Sequence, residues 1–591
     1  MKKSKNKLKK GSVKRLIGLF LPHKMDCVFM FLMLIISAVF VSVGPRVLGM
    51  ATDSVVSGLE RGGIDWRLFL TWAGLSVGVY LLQFLSKWFA GRISARIVSK
   101  IAYNLRGAVE KKLWKLPLNY YDTNQRGDIM SRTTNDIDNI VMTLNQTSGD
   151  FFYYLLMLIG MIVMMITLSW QLALVTIILI PLSGVIIKKV TALARPKFAK
   201  QWQYMGKINA NVEESFNGHN IIKAYKQEER FSEEFRRQNG ELYKSAFQAT
   251  VISNLIQPLS RLLTNLNYVI VALVGAFNII SGAMSIGDVQ AFIQYARQFQ
   301  QPFTQLAQMF STLQSGMASL ERVYEVLDSD EETPEMPGAY DRYELKGQIE
   351  FKDVSFSYVP EKKLIEHMNL SVKPGQTIAI VGGTGAGKTT LVNLIERFYE
   401  INSGQIILDG NIEIHRLSRA ALRRNIGMVL QDTWLYKGTI EENIKYGLPE
   451  DREVSDEQFL EACRATFVDS FVRTLPDGYK TVLNNEQTAV SAGEKQLLTI
   501  ARAFLLKPNI LILDEATSSV DTRTEALIQE AINRLREGRT SFVIAHRLST
   551  IRGADIILVM HNGHIVEQGN HEELLALDGE YAKLYKAQFA H

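Results

Sequence analysis

The chain has 591 residues, 47% of them hydrophobic, with a net charge of +6 and two cysteines. That length exceeds one domain; the net charge is small for it, and basic residues cluster before an apolar stretch, where a membrane surface explains them better than nucleic acid does. Cys27 and Cys463 lie too far apart to read as a disulfide framework, so both are expected to be packing residues.

In chain order, the basic residues come first: Lys2, Lys3, Lys5, Lys7, Lys9, Lys10, Lys14 and Arg15 crowd the N-terminus, just before an apolar stretch. An anionic membrane surface attracts such a cluster, although a solvated tail accounts equally well for its first ten or so residues. The first apolar run is too long for a cleavable secretory signal and lacks a small-residue cleavage site. Residues 13–21 mix basic and apolar side chains like a helix lying on a membrane, so 1–24 reads as tail and interfacial elbow.

Spanning a bilayer takes about 20 mainly apolar residues. The sequence offers 25–48, 68–90, 151–170 and 172–187, then two less apolar stretches at 255–280 and 286–309, all within a domain at 25–327. The last carries Gln290, Gln294, Gln298, Gln301, Gln305 and Gln308. Amides facing lipid are costly, so these glutamines are candidates for lining a pathway; the plainer reading is that they glue helices together. Met157, Met161, Met164 and Met165 are expected to face lipid, with adaptable cargo contacts as the lesser reading.

Lys and Arg crowd the N-terminus, 92–115 and 188–237, while the links at 52–65 and 281–288 are poor in them. Both termini are therefore cytoplasmic. Two links of about 60 residues with helical periodicity read as helices continuing into the cytosol. Turns are expected near 120–127 and 211–218, where they could meet a cytoplasmic domain.

An acidic and proline-bearing linker follows at 328–346, and from 347 to 591 short β-branched runs alternate with helices, the mark of an α/β domain. Residues 377–381 form a buried strand, and Gly382-Gly383-Thr384-Gly385-Ala386-Gly387-Lys388-Thr389 turns from it into a helix, followed by Thr390. Such a turn aims backbone N–H groups at phosphates. Lys388 then reaches the β and γ phosphates, and Thr389 offers its hydroxyl to Mg²⁺. A second strand, 510–513, ends in Asp514, placed to hold Mg²⁺ through water, and Glu515, placed to polarise the attacking water. Between the two stands Val490-Ser491-Ala492-Gly493-Glu494, small residues opening a helix and so a second anion site.

The order of the phosphate loop, Gln431, this signature, Asp514-Glu515, Asp521 and His546 resembles the nucleotide-binding domain of ATP-binding cassette (ABC) transporters. With one preceding membrane domain, the whole chain resembles a type IV half-transporter of the bacterial multidrug exporter class. The implied fold is multidomain: an all-α transmembrane domain of six helices with long cytoplasmic extensions, followed by an α/β P-loop ATPase domain. The resemblance assigns Tyr358 to stacking on adenine and Gln431 to Mg²⁺ and water. It places Asp521 in a loop crossing a dimer interface, and His546 on the γ-phosphate.

The resemblance further implies ATP and Mg²⁺ as cofactors, a bacterial plasma membrane, and a second half-transporter chain. Ser491, Ala492, Gly493 and Glu494 would act on the ATP held by that partner. Ala492 and Glu494 depart from the usual Leu-Ser-Gly-Gly-Gln, a pattern that favours a heterodimer over a homodimer, with this chain carrying the intact hydrolytic set. The implied activity is ATP-driven export of amphipathic drugs, dyes or lipids. Lipid or peptide export, and an ATP-gated channel, are the alternatives.

Overall fold

The computed structural model describes residues 10–589 apart from 360–361, 432, 450, 484–489, 515–520 and 546–547, with the backbone alone at 10, 179–183, 548–549 and 587–589. Two compact units emerge, and the division is not linear along the chain. Lys115–Gln125 joins Asp330–His591, while the rest up to Ser329 forms the other unit.

The first unit is helical. An amphipathic helix, Lys10–Phe20, turns through Leu21–His23 into Lys24–Glu60. Asp65 caps the next helix, Trp66–Leu113, its carboxylate accepting from the Arg67 and Leu68 amides at 3.1 Å each. Among the described residues, four stretches are long and apolar enough to cross a membrane by length and composition: Gly11–Glu60, Trp66–Leu113, Arg126–Leu168 and Glu228–Ile280. Residues 172–187 lie within the helix Trp170–Asn217, and 286–309 runs across Ile286–Gln298 and Gln300–Leu327, which part at Phe299.

Lipid is as apolar as leucine, so helices in a bilayer gain little from hydrophobicity and rely on close packing and interhelical hydrogen bonds. Here Lys24–Glu60 and Ile286–Gln298 supply both. Gly49 and Gly287 bring the two backbones together, and a Cβ on either would run into the other's carbonyl oxygen. The Asp53 carboxylate accepts from the Gly287 amide (2.7 Å) and the Ser285 hydroxyl (2.6 Å), and the buried Tyr295 hydroxyl donates to the Ser42 carbonyl at 2.5 Å. Arg46 forms an ion pair with Asp288.

The methionines are placed otherwise than their composition suggests. Met157, Met161 and Met165 are buried in the core of this unit, with Met164 partly buried against it, rather than turned to lipid. Their spacing of four puts them on one face of Asp150–Leu168. A helix apolar on every side has no polar face to reveal which stripe points inward.

Both expected turns are also more helical than anticipated. Residues 118–123 form a short helix after Pro117, ending at the extended Asn124. The long helix continues to Asn217, where Gly218 separates it from His219–Ala224.

The second unit holds two main sheets. A six-stranded sheet runs in the order His564–Gly569, Ile556–His561, Thr377–Gly382, Thr540–Ile544, Ile510–Asp514 and Ile426–Val429. All pair in parallel except the first with the second. A four-stranded antiparallel sheet contains Ile349–Phe356 and Ile365–Val372. Because successive strand side chains face opposite ways, Ile378 and Ile380 join one hydrophobic core while Ala379 and Val381 join the other. This burial on both faces explains the unbroken apolar runs. The linker is also anchored, with Glu335 accepting from the Arg397 guanidinium (3.1 Å) and the Arg419 amide (2.9 Å).

Candidate nucleotide site

The strand Thr377–Gly382 lies inside the parallel sheet, so its C-terminal end opens where ligands bind in such sheets. Gly382 lies at φ 154°, and a Cβ there would strike the Met560 carbonyl, so no larger residue fits. Gly387, at φ 99°, turns the loop into the helix Lys388–Ile395. The Lys388 ammonium donates to the Gly382 and Gly383 carbonyls at 2.9 and 3.1 Å, which folds its charge over the loop. Burial pulls its pKa below the ordinary lysine value, while Asp514 pulls the other way. Asp514 is therefore within electrostatic reach of Lys388, at the end of the strand Ile510–Asp514.

Gly383, Thr384, Gly385 and Thr389 are exposed, Ala386 and Thr390 are buried, and Gln431 is exposed after the strand Ile426–Val429. This donor set suits a nucleoside triphosphate: loop amides and an ammonium for phosphates, with a hydroxyl, an amide and a carboxylate for a hard cation. A cavity of about 270 Å³ lies beside the loop, between Gly382, Lys388, Tyr581 and Tyr585. Glu515 and His546 lie outside the described residues.

Ser491 caps the helix Ala492–Leu506, its hydroxyl accepting from the Glu494 amide at 3.3 Å. The Glu494 carboxylate turns back to accept from the Ser491 amide at 2.6 Å. This reciprocal capping box gives the glutamate a local partner and holds a negative charge at the helix N-terminus. Ala492 is exposed and Gly493 buried. Asp521 caps Thr522–Arg536, accepting from the Arg523 and Thr524 amides at 3.1 and 3.0 Å. The Thr524 bond leads the causes that lower its pKa.

Tyr358 is half-exposed, with its hydroxyl 3.1 Å from the Thr390 hydroxyl and its ring edge-on to Tyr399, centroids 4.9 Å apart. Sequence reasoning missed Tyr399, whose hydroxyl donates to Asp122 in the 118–123 helix. Burial, then Asp122, raises the pKa of that phenol, so it remains a donor at working pH. Nothing in the sequence marked the pair. Tyr581 and Tyr585 were also missed; their i, i+4 spacing was the one available signal.

The glutamines divide. Gln290 accepts from the Thr52 hydroxyl at 2.5 Å and so joins two helices, whereas Gln294 has a buried Oε1 with no hydrogen-bond partner among the described residues. Gln298 and Gln305 are half-buried and Gln301 is exposed.

A phosphate loop inside a parallel sheet, a serine-capped helix N-terminus in the same domain, and a helical membrane unit on the same chain define an ATP-powered membrane transporter. The chain belongs to the ABC transporter family: the ABC transporter transmembrane region matches residues 27–303 and the ABC transporter domain residues 365–518. It is 43% identical to a fatty acid ABC transporter ATP-binding/permease protein of Mycobacterium tuberculosis, covering 98% of this chain and 96% of that one. It is 34% identical to an ATP-dependent lipid A-core flippase of Syntrophus aciditrophicus (98% and 94%), and 34% identical to a putative multidrug export ATP-binding/permease protein of Bacillus subtilis (91% and 91%). The chain is thus an exporter of the half-transporter type, a multi-pass membrane protein that couples ATP hydrolysis to export and works as a dimer.

Proposed function

We propose that this exporter moves amphipathic or hydrophobic compounds, with acyl-bearing lipids foremost and drugs or dyes next, across a bacterial plasma membrane by alternating access. The observation that carries the cargo reading is Gln294. Its amide oxygen is buried with no hydrogen-bond partner among the described residues, and a buried acceptor without a donor is costly. A cargo that carries a hydrogen-bond donor satisfies that oxygen. Two of the relatives are named for lipid cargo, which supports the same choice.

When bound, ATP brings the phosphoanhydride to be cleaved, and Mg²⁺ neutralises charge there. Thr389, Gln431 and Asp514 would hold the ion, and the loop amides with Lys388 the phosphates, while Tyr358 would stack on the adenine. Glu515 would take the proton of the attacking water and His546 would hold the γ-phosphate. Asp521 would meet the partner across the dimer interface.

The partner favoured is a different half-transporter chain. The Glu494 carboxylate sits at the helix end that would face the partner's phosphates, where negative charge opposes them. That weakens the site completed by this signature and leaves the site on this chain's own Glu515 to the partner's signature.

The test is transport into inside-out proteoliposomes of fatty acids, phospholipids, peptides and cationic dyes by the assembled protein. Uptake of acyl compounds that weakens in Gln294→Leu supports the reading. Peptide uptake alone, or conductance far faster than ATP turnover, contradicts it.

A further inference from the structure

Among the described residues, the polar contacts of the helix Lys10–Phe20 with Gln300–Leu327 gather at one end. The Ser12 hydroxyl donates to Glu321 at 2.7 Å, and Arg15 pairs with Asp328 at 2.6 Å while lying 4.5 Å over the Tyr324 ring. Farther along both helices these contacts cease and a cavity of about 420 Å³ opens. Leu16 and Phe20 form one wall and Met309 and Phe310 another. Phe31 and Phe152, edge-on with centroids 4.6 Å apart, also line it. No charged side chain among the described residues lines it.

The hydroxyls in its lining, Thr147 and Ser148, are already hydrogen-bonded to Thr143 and Ser94, so water finds few of the two to four polar partners it needs there. Left empty, the space would cost its walls their dispersion contacts. Ile17 and Phe310 are exposed at its edge, so it opens sideways. A basic amphipathic helix at the start of a span lies at the membrane interface, so that opening meets acyl chains. The charge at the mouth is basic on balance: exposed Lys14 lies one helical turn from Ile17 and exposed Lys24 one turn from Cys27, with Asp26 the opposing group.

We propose that this cavity holds one acyl chain of an anionic phospholipid from the cytoplasmic leaflet, its phosphate drawn by Lys14 and Lys24. The chain wedges between the interfacial helix and the helix ending at Leu327, and it is a resident lipid rather than cargo. Its occupancy does not depend on which cargo the transporter moves.

The experiment uses the assembled transporter in vesicles of phosphatidylcholine containing a trace of phosphatidylglycerol with a photoactivatable acyl chain, followed by peptide mapping. Label is expected to concentrate at 16–31 and 309–313, and Met309→Trp, which fills the space, is expected to reduce it there about tenfold. Lys14→Gln and Lys24→Gln, both on exposed positions, are each expected to reduce it about fivefold, the worth of one basic side chain at an anionic surface. They serve as the second arm should the tryptophan variant misfold. Label spread evenly over Trp66–Leu113 and Ile256–Ile280 would overturn the proposal. So would equal labelling by a phosphatidylcholine probe, or indifference to both lysine changes.

Discussion

The Tyr399 hydroxyl donates to the Asp122 carboxylate, tying the 118–123 helix to the domain that carries the phosphate loop. Tyr399 also lies edge-on to Tyr358, which meets Thr390 of the loop helix. One row of contacts thus runs from the loop helix to a short helix from the other end of the sequence.

Tyr399→Phe keeps the ring packing and removes the hydrogen bond, which to a charged acceptor is worth about 1.5–3 kcal/mol. ATP affinity is expected to stay within about twofold, while cargo moved per ATP hydrolysed falls severalfold. The ratio of the two rates in proteoliposomes checks this; an unchanged ratio removes the pair from coupling.

Glu494→Gln preserves the capping box, since glutamine serves that position as well, but removes its charge. A charge at a helix terminus is worth about 0.3–1 kcal/mol, so nucleotide affinity at the site this signature completes is expected to rise about two- to fivefold. Fluorescent nucleotide titration of the assembled dimer measures it. A fall in affinity would mean that the carboxylate contacts something else.

Glu396 ends the phosphate-loop helix and is buried, with Oε2 lacking a partner among the described residues. Burial raises its pKa to about 7, against the opposing pull of Arg423. The unfolded chain ionises there near 4.5, so above that pH it binds fewer protons than the folded domain. Stability therefore falls as pH rises from about 4.5 to about 7, by about 3 kcal/mol, and levels off beyond. Melting of the full chain followed by fluorescence is expected to show this slope, and Glu396→Gln to flatten it. A variant with the same slope refutes the assignment.

Gly287→Ala places a methyl against the Gly49 carbonyl and the Asp53 carboxylate. Overpacking of this kind costs about 1–3 kcal/mol, so the detergent-solubilised protein is expected to melt several degrees lower. Gly74→Ala, within a helix and with nothing within 4 Å of the added Cβ, is the matched control and is expected not to lower melting, alanine being the better helix residue.

The nucleotide domain was legible because its chemistry is local in sequence. Gly382 to Thr389 is one turn, and Ser491 to Glu494 is one helix start. The unbroken apolar run at 378–381 declares a doubly buried strand. Contacts between distant segments left no such trace, which is why Tyr399 and Asp122, 277 positions apart, went unseen. The membrane helices announced their length but not their facing. The methionine stripe of Asp150–Leu168 turned inward, and Gln290 proved to be bonded to Thr52 while the Gln294 oxygen has no donor among the described residues. The fate of Glu494 depended on rotamer choice, since the same residue pattern permits a carboxylate aimed outward or one folded onto its own helix.

The most direct measurement compares the wild-type assembly with Glu515→Gln in this chain, following ATP hydrolysis and cargo uptake in the same vesicles. Loss of a general base costs about 10²–10⁴-fold, and the account predicts that hydrolysis at this site and sustained uptake fall together by at least the lower figure. Uptake continuing at the wild-type rate with hydrolysis abolished, or hydrolysis undiminished, would contradict it.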